Sequence, residues 1–156
     1  MPGRIKELII TARYENIPYL LIEEQVRREI PIISNCILVG DNKRFLSLLI
    51  TIKCHIDANG NPTDLIDGHI LPILKELGSS SLFVNNAIQD QVIIEYIDSC
   101  IHKINQRSRS NAQRIQKFAI LPVDFSVAGE ELGPTMKIKR GFILNKYKDV
   151  IDKLYK

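Results

Sequence analysis

Two apolar runs joined by a short polar link constrain the fold of this chain more than any other feature. The runs are residues 32–39 and 45–52, and the link is residues 40–44, Gly-Asp-Asn-Lys-Arg. β-Branched and aliphatic side chains favour strands, and a five-residue link of this composition is typical of a hairpin. Neither run alternates apolar with polar residues, so both faces of each strand are predicted to be covered. The sequence therefore predicts a central hairpin with other elements packed on both sides.

Apolar side chains recur every three or four residues in four further segments, and this spacing predicts amphipathic helices. The segments are residues 18–30, 62–77, 93–104 and 143–154. In the first, Glu23 is placed on the solvent-facing side. The second is predicted to begin with Pro62 in its first turn, and it should stop at Gly78.

Two more segments are predicted to be short strands. Residues 4–11 begin charged and become β-branched, which predicts a strand entering the sheet, and residues 118–122 form an apolar strand that ends at a proline. A chain of 156 residues fits one domain. The order of elements predicts an α+β fold with a small β-hairpin plus a mixed sheet covered by helices.

Composition excludes several classes of protein. With 45% hydrophobic and 25% charged residues the chain is ordinary for a globular domain, and it has no apolar run long enough to span a membrane. Its three cysteines, Cys36, Cys54 and Cys100, show no metal-ligand spacing. We therefore expect buried thiols in a reducing compartment, a cytoplasmic location and no metal site.

Charge is unevenly distributed, although the net charge is only +3. Residues 103–117 carry five cations and no acid, and residues 137–156 carry seven cations against two aspartates, whereas residues 53–100 are mainly acidic. Such asymmetry indicates a face that meets an anion such as a nucleotide, a phosphate or a phospholipid. Aromatic residues are not interleaved with the cations, so no nucleic-acid partner is expected.

Self-contained catalytic motifs are missing from the sequence. His55, His69 and His102 stand in no nucleophile motif and are predicted to be surface or half-buried side chains. Neither a G-x-G-x-x-G pattern nor a P-loop occurs, so the chain is not expected to hold a nucleotide by itself.

One basic segment near the C-terminus combines a turn with three cations. Gly133 and Pro134 interrupt regular hydrogen bonding, and Lys137, Lys139 and Arg140 follow them. From composition alone the segment is either a solvated basic turn before the last helix or a loop that contacts an anion.

Several motifs in order resemble one family. They are residues 3–11 (Gly-Arg-Ile-Lys-Glu-Leu-Ile-Ile-Thr), 15–18 (Glu-Asn-Ile-Pro), 32–41, 111–115 and 129–140, the last containing Gly-Pro-Thr-Met-Lys. Together they resemble the C-terminal domain of adenylate-forming enzymes, in particular the long-chain acyl-CoA synthetases of the bubblegum type. The likeness covers essentially the whole chain.

The resemblance implies a two-step reaction. A fatty carboxylate attacks the α-phosphate of ATP to give acyl-adenylate and pyrophosphate, and the CoA thiol then displaces AMP. ATP and Mg²⁺ would be bound mainly by a large N-terminal adenylation domain that this chain lacks, with CoA as co-substrate. The chain itself would be the lid that rotates between the two steps, and it is expected to be inactive alone.

The same resemblance assigns roles to individual residues. Lys137 corresponds to the lysine that touches both reacting anions and offsets their repulsion. Lys139 and Arg140 are expected to dock the loop or the helix behind it. Lys6 corresponds to the hinge residue, and Arg4 to an arginine at the nucleotide side of the domain interface.

The loop facing the CoA channel departs from the family pattern. It contains Arg13, Tyr14 and Glu15, and Arg13-Tyr14 stand where relatives have two glycines. Because glycine permits close approach of backbone to the pantetheine arm, Arg13 is expected to crowd the channel and slow transfer to CoA, unless its side chain swings out to meet a CoA phosphate.

A second hypothesis comes from a different class of protein. Residues 103–117 and the C-terminal helix could form the basic face of a freestanding module that binds an anionic lipid surface or a protein partner. Peripheral membrane contact therefore stays open beside the enzymatic reading.

Overall fold

The computed structural model describes residues 8–13, 15–108 and 113–156, and shows an α+β architecture. Its strands are β1 (Ile9–Ile10), β2 (Asn16–Ile17), β3 (Ile33–Val39), β4 (Leu46–Ile52), β5 (Cys54–Ile56), β6 (Pro62–Ile66) and β7 (Ile115–Ile120). Its helices are α1 (Tyr19–Glu29), α2 (Leu71–Leu77), α3 (Val84–Ala87), α4 (Gln91–Gln106), α5 (Arg140–Lys146) and α6 (Lys148–Leu154).

The centre of the molecule is a three-stranded mixed sheet in the order β3-β4-β7. β3 and β4 are the antiparallel hairpin predicted from the two apolar runs, with Leu38 opposite Leu48. β7 joins the other edge of β4 in parallel, with Ala119 opposite Leu49. Every residue of β4 is buried, as the lack of alternation in its sequence predicted.

Two hydrophobic clusters cover the two faces of this sheet. Leu38 and Leu48 belong to a large cluster with residues of α1, α2 and α4. Ile37 and Leu49 point the other way and pack with Ile143 of α5 and Ile151 of α6. Because side chains alternate along a strand, the same hairpin supplies both clusters, and α5–α6 are fixed to the face opposite α1.

A separate two-stranded sheet, β1–β2, stands beside the hairpin link. Residues 8–11 of the first predicted strand are described, and of these Ile9–Ile10 form a strand that pairs with β2 instead of entering the central sheet. Ala12 N donates to Lys43 O at 2.9 Å, and Asn42 N donates to Ile10 O at 2.7 Å. These bonds attach the turn after β1 to the β3–β4 link.

The prediction of a helix beginning at Pro62 is wrong. Pro62 is the first residue of β6, which pairs with β5 and forms a bridge to Phe83 only further along, at Leu65. A proline at the first position of a strand removes little hydrogen bonding from a sheet. The helix begins later, at Leu71, with Pro72 in its first turn, and Gly78 ends it in the left-handed conformation at φ +96°. The predicted stop is therefore confirmed while the start is not.

The predicted last helix is interrupted. α5 and α6 meet at Tyr147, whose backbone leaves the helical region with φ −105° and ψ 24°. β7 also begins three residues before the predicted strand and ends before Leu121. Over the described ranges no helix has the length and apolarity needed to cross a bilayer.

Candidate functional site

The basic segment folds into a closed loop, called here the lysine loop, residues 132–138. Leu132 and Ile138 form an antiparallel bridge at its base. Gly133 N donates to Lys137 O at 2.8 Å, and Met136 N donates to Gly133 O at 2.8 Å. Met136 takes a left-handed backbone with φ +68°, which is uncommon for a residue with a side chain. The loop is thus closed by its own backbone.

The two lysines of this segment have different surroundings. Lys137 is exposed on the lysine loop, so its ammonium is free to meet an anion. Lys139 lies just beyond the bridge: its N–H donates to Glu131 O at 2.8 Å, and its ammonium lies 5.4 Å from the centroid of the Phe142 ring. Of the two, Lys137 is the one carried by the loop itself.

Glu131 holds the N-terminal end of the lysine loop. Its side chain is only 3% exposed and accepts hydrogen bonds from Lys146 Nζ at 2.7 Å, Tyr147 Oη at 3.0 Å and Ser126 N at 3.1 Å. Burial, with the Glu131 carboxylate beside it, raises the pKa of Tyr147 and keeps its hydroxyl a donor. Gly129 leaves room for this carboxylate, since a Cβ there would stand 2.3 Å from Glu131 Oε1.

Arg140 follows the other end of the loop and contacts Glu23 of α1. Its Nη2 lies 2.5 Å from Glu23 Oε2, and its Nη1 donates to Leu38 O at 3.1 Å. Leu38 N in turn donates to Glu23 Oε2 at 2.6 Å, and the guanidinium carbon stands 3.8 Å from the centroid of the Tyr19 ring. Arg140 therefore joins α5 to both α1 and β3.

Glu23 is a correction to the sequence analysis. The prediction placed it on the solvent side of α1, but the residue is 1% exposed. Burial raises the pKa of Glu23, and the neighbouring Arg140 charge opposes that effect. The residue faces inward because it lies on the stripe formed by Tyr19, Val26 and Ile30, at intervals of four, three and four residues.

A cavity of about 710 Å³ borders the lysine loop, with Met136 and Leu132 among its lining. Its polar wall centres on Asp124, which accepts from Ser34 Oγ at 2.6 Å and Thr51 Oγ1 at 2.7 Å. Throughout the described segments, every buried side-chain nitrogen or oxygen has a hydrogen-bond partner. The Asp124 carboxylate thus connects β3, β4 and the segment after β7.

The loop predicted to face CoA is the turn between β1 and β2. Thr11 N donates to Glu15 O at 3.0 Å, and Glu15 N donates to Thr11 Oγ1 at 3.2 Å, which closes the turn. Arg13 is exposed at its tip. The β1–β2 turn and the lysine loop are separate features. Helix α1 follows β2 and carries Glu23, which contacts Arg140 just after the lysine loop.

Three of the predicted site residues, Arg4, Lys6 and Tyr14, lie outside the described residues, so their roles stay predictions. Part of the 111–115 motif lies outside them as well.

The histidines and the possibility of a metal site were also considered in the sequence. His55, His69 and His102 are all exposed. Among residues 8–13, 15–108 and 113–156, no cluster of His, Cys, Asp and Glu has the makings of a metal site.

Sequence comparison identifies close relatives over nearly the whole chain. The chain is 45% identical to a long-chain-fatty-acid–CoA ligase of Xenopus laevis and 47% identical to one of Gallus gallus, both named ACSBG2, over 98% of its length. It is 44% identical to the ACSBG1 ligase of Homo sapiens. The chain spans about a fifth of the length of these curated relatives, 20–22%. No family model matches it.

Solved structures with the same fold are parts of adenylate-forming proteins. The adenylation domain of a carboxylate reductase from Mycobacterium chelonae matches 97% of this chain with a TM-score of 0.67 at 16% identity, the chain covering 20% of that structure. The A-PCP didomain of a carboxylic acid reductase from Segniliparus rugosus matches 96% with a TM-score of 0.64 at 13% identity, the chain covering 17% of it. These likenesses confirm the predicted α+β fold class. The chain is a homologue of one segment of the bubblegum-type long-chain-fatty-acid–CoA ligases, and it has a fold found in adenylate-forming enzymes.

Proposed function

We propose that this chain is the C-terminal lid domain of a long-chain fatty acid–CoA ligase and that it supplies Lys137 to the adenylation step. The observation that carries the proposal is an exposed ammonium on a loop whose two ends are held by buried carboxylates. The relatives are named long-chain-fatty-acid–CoA ligases, which supports a role for this ammonium in activating a fatty acid.

The chemistry explains why a lysine is needed. A fatty carboxylate and the α-phosphate of ATP are both anions, and the transition state carries negative charge on the oxygens of the α-phosphate as the carboxylate attacks. A lysine ammonium near both groups lowers the repulsion and stabilises the developing charge. The adenylation domain of the same enzyme would hold ATP and Mg²⁺, which would lower the charge on the phosphates.

The β1–β2 turn is proposed to serve the second step. In that step the thiol of CoA attacks the acyl carbon of the adenylate and AMP leaves. Arg13 at the tip of the turn would crowd the pantetheine arm, so we propose slow thioester formation beside normal adenylate formation. Hinge motion at Lys6 and an interface contact at Arg4 belong to the same proposal.

The test uses a chimera in which this chain replaces the matching segment of the Xenopus laevis relative. Lys137→Ala should lower the rate of pyrophosphate release with palmitate and ATP by about 10²–10³, the usual effect of losing one preorganised donor. Lys139→Ala is the matched control and should change the rate by less than about tenfold, because that ammonium lies beyond the loop. An unchanged rate in Lys137→Ala would contradict the proposal.

The isolated chain is proposed to be inactive, since the adenylation domain would hold the nucleotide and acyl sites. Incubating the 156-residue chain with ATP, Mg²⁺, palmitate and CoA should release no pyrophosphate above the rate without protein. Turnover by the chain alone would refute this part.

A second candidate function rests on a basic groove. His102, Arg114 and Lys117 line a mainly polar groove of about 520 Å³ beside Asp98. As a freestanding module at the cytoplasmic surface of a membrane, the chain would bind phosphatidylserine vesicles through Arg114 and Lys117. Arg114→Ala should then weaken vesicle binding while Lys137→Ala leaves it intact, which is the reverse of the pattern expected for the ligase.

A further inference from the structure

The outer edge of the central sheet is closed at one point by two charged side chains. β3 is an edge strand, so the N–H and C=O groups on its outer side have no strand partner. At Leu38 the N–H donates to Glu23 Oε2, and the C=O accepts from Arg140 Nη1. Glu23 and Arg140 also contact each other, so the three residues form a closed ring of hydrogen bonds.

This ring is buried to a degree unusual for an ion pair. The Glu23 side chain is 2% exposed and the Arg140 side chain 23%. Removing charges from water is costly. That cost is offset by the attraction between Glu23 and Arg140 and by their hydrogen bonds to the backbone of Leu38. The Tyr19 ring covers one face of the guanidinium. Arg140 therefore has little freedom to take another orientation.

The position of Arg140 in the chain gives this restraint a consequence. Arg140 stands three residues after Lys137 and two after Ile138, which closes the lysine loop against Leu132. On the other side of the bridge, the Glu131 carboxylate is held by Lys146 and Tyr147. The direction in which the loop projects is set at its base, and Glu23 fixes the C-terminal half of that base.

We propose that Glu23 is a positioning residue: through Arg140 it holds the lysine loop in the orientation that brings Lys137 to the reacting phosphate. Glu23 contacts no substrate in this account and acts only through Arg140. The inference rests on the proposed function for its catalytic half, whereas the restraint on the loop is a property of the chain itself.

A purely structural role makes different predictions. If Glu23 only satisfied the edge of β3, its loss would lower overall stability without loosening the lysine loop in particular. Glu23→Gln separates the two roles, because the amide keeps the size of the side chain and an acceptor for Leu38 N–H but removes the charge that orients Arg140. Glu24→Gln is the matched control: Glu24 is the next residue of α1, 64% exposed, and its partner is Arg28 on the same helix.

The first measurement is hydrogen exchange of single amides in this chain, followed by NMR. The reporters are Gly133 N–H, bonded to Lys137 O, and Lys139 N–H, bonded to Glu131 O. In Glu23→Gln their exchange should speed up by about tenfold relative to core amides such as Leu49, as expected when a local restraint of one charged hydrogen bond is lost. Glu24→Gln should leave them unchanged. Equal exchange in the two variants, or equal acceleration in loop and core, would overturn the positioning role.

The second measurement is adenylation by the chimera described above. Glu23→Gln should lower kcat for pyrophosphate release about tenfold to a hundredfold, the effect of a displaced catalytic group, with the KM for ATP almost unchanged. A loosened loop with unchanged kcat would overturn the catalytic half of the inference. If Lys137→Ala itself leaves kcat unchanged, the proposed function fails, while the exchange measurement still decides whether Glu23 restrains the loop.

Discussion

The Glu131 carboxylate accepts hydrogen bonds from three donors in two parts of the chain, Ser126 before it and the adjacent Lys146 and Tyr147 after it. A carboxylate that is 3% exposed is stabilised by such donors, and each donor removed leaves part of its charge without compensation. Tyr147 also stands at the break between α5 and α6. Tyr147 therefore connects Glu131, at the base of the lysine loop, to the junction of α5 and α6.

Tyr147→Phe should lower the free energy of unfolding by about 2 kcal/mol, the usual contribution of a hydrogen bond to a charged group. Urea denaturation of the chain at neutral pH gives this value. Tyr19→Phe is the control, because the hydroxyl of Tyr19 makes no hydrogen bond within the described residues and its ring is kept. A loss as large in Tyr19→Phe as in Tyr147→Phe would contradict the role of the Glu131 bond.

At Met136, glycine is expected to be more stabilising than alanine, the reverse of the usual order. Its φ of +68° costs about 1 kcal/mol for any residue with a Cβ, so Met136→Gly should be more stable than Met136→Ala by about that amount. Thr135 has no positive φ, and there Ala should be the more stable of the two. Thermal or urea unfolding of the four variants tests the sign, and a more stable Ala at position 136 would contradict the left-handed assignment.

Among the secondary-structure elements, α4 has the clearest start signal. Asp90 precedes it and accepts from Val92 N at 2.9 Å, Ser79 Oγ at 2.6 Å and Ser81 Oγ at 2.7 Å. The hydrogen bond from Ser79, followed by that from Ser81, lowers the pKa of Asp90 below 3.8. The carboxylate thus caps the helix and also fastens the segment after α2.

Asp90→Asn should change how stability depends on acid. Because the folded pKa of Asp90 is lowered, its contribution is present above pH 3.8 and is lost as the pH falls through the lower folded value. The variant should unfold with a shallower pH dependence below about pH 4, and Asp90→Ala should lose about 1 kcal/mol at neutral pH. Asp98→Asn, exposed on the same helix, is the control. Urea titrations at several pH values would contradict the account if the two Asn variants behaved alike.

Periodicity was sufficient for the elements whose burial is simple. The hairpin β3–β4 is buried on both faces and α4 on one, so their side chains carry the pattern directly. The end of α2 at Gly78 was also predictable, because a left-handed helix end favours glycine. Local rules failed where a distant contact decides the structure.

Pro62 and Glu23 show that failure. Ile66 and Ile70 continue the helical spacing of α2 in sequence, yet Ile66 is set by pairing with Cys54 in a strand. Glu23 reads as a solvent-side charge until Leu38 and Arg140, 15 and 117 residues away, are brought against it. Neither contact is encoded in a local window. The resemblance singled out Lys137 without revealing the two carboxylates that hold its loop.

At the scale of the whole molecule, the hairpin β3–β4 joins the two candidate functional loops. Lys43 and Asn42 in its link form hydrogen bonds with the β1–β2 turn. At its outer edge, Leu38 accepts a hydrogen bond from Arg140. Both loops are therefore attached to one sheet. This arrangement is compatible with the lid proposed above, which would present Lys137 in one step and the Arg13 turn in the other by moving as a body.

The most direct measurement separates the two steps in the chimera, by timing pyrophosphate release and, from preformed palmitoyl-adenylate, thioester formation with CoA. We predict that Lys137→Ala slows only the first, by about 10²–10³, and that Arg13→Gly speeds only the second. A Lys137→Ala variant that releases pyrophosphate at the unsubstituted rate, or that loses both steps equally, would contradict the assignment of this chain as the lid that supplies the adenylation lysine.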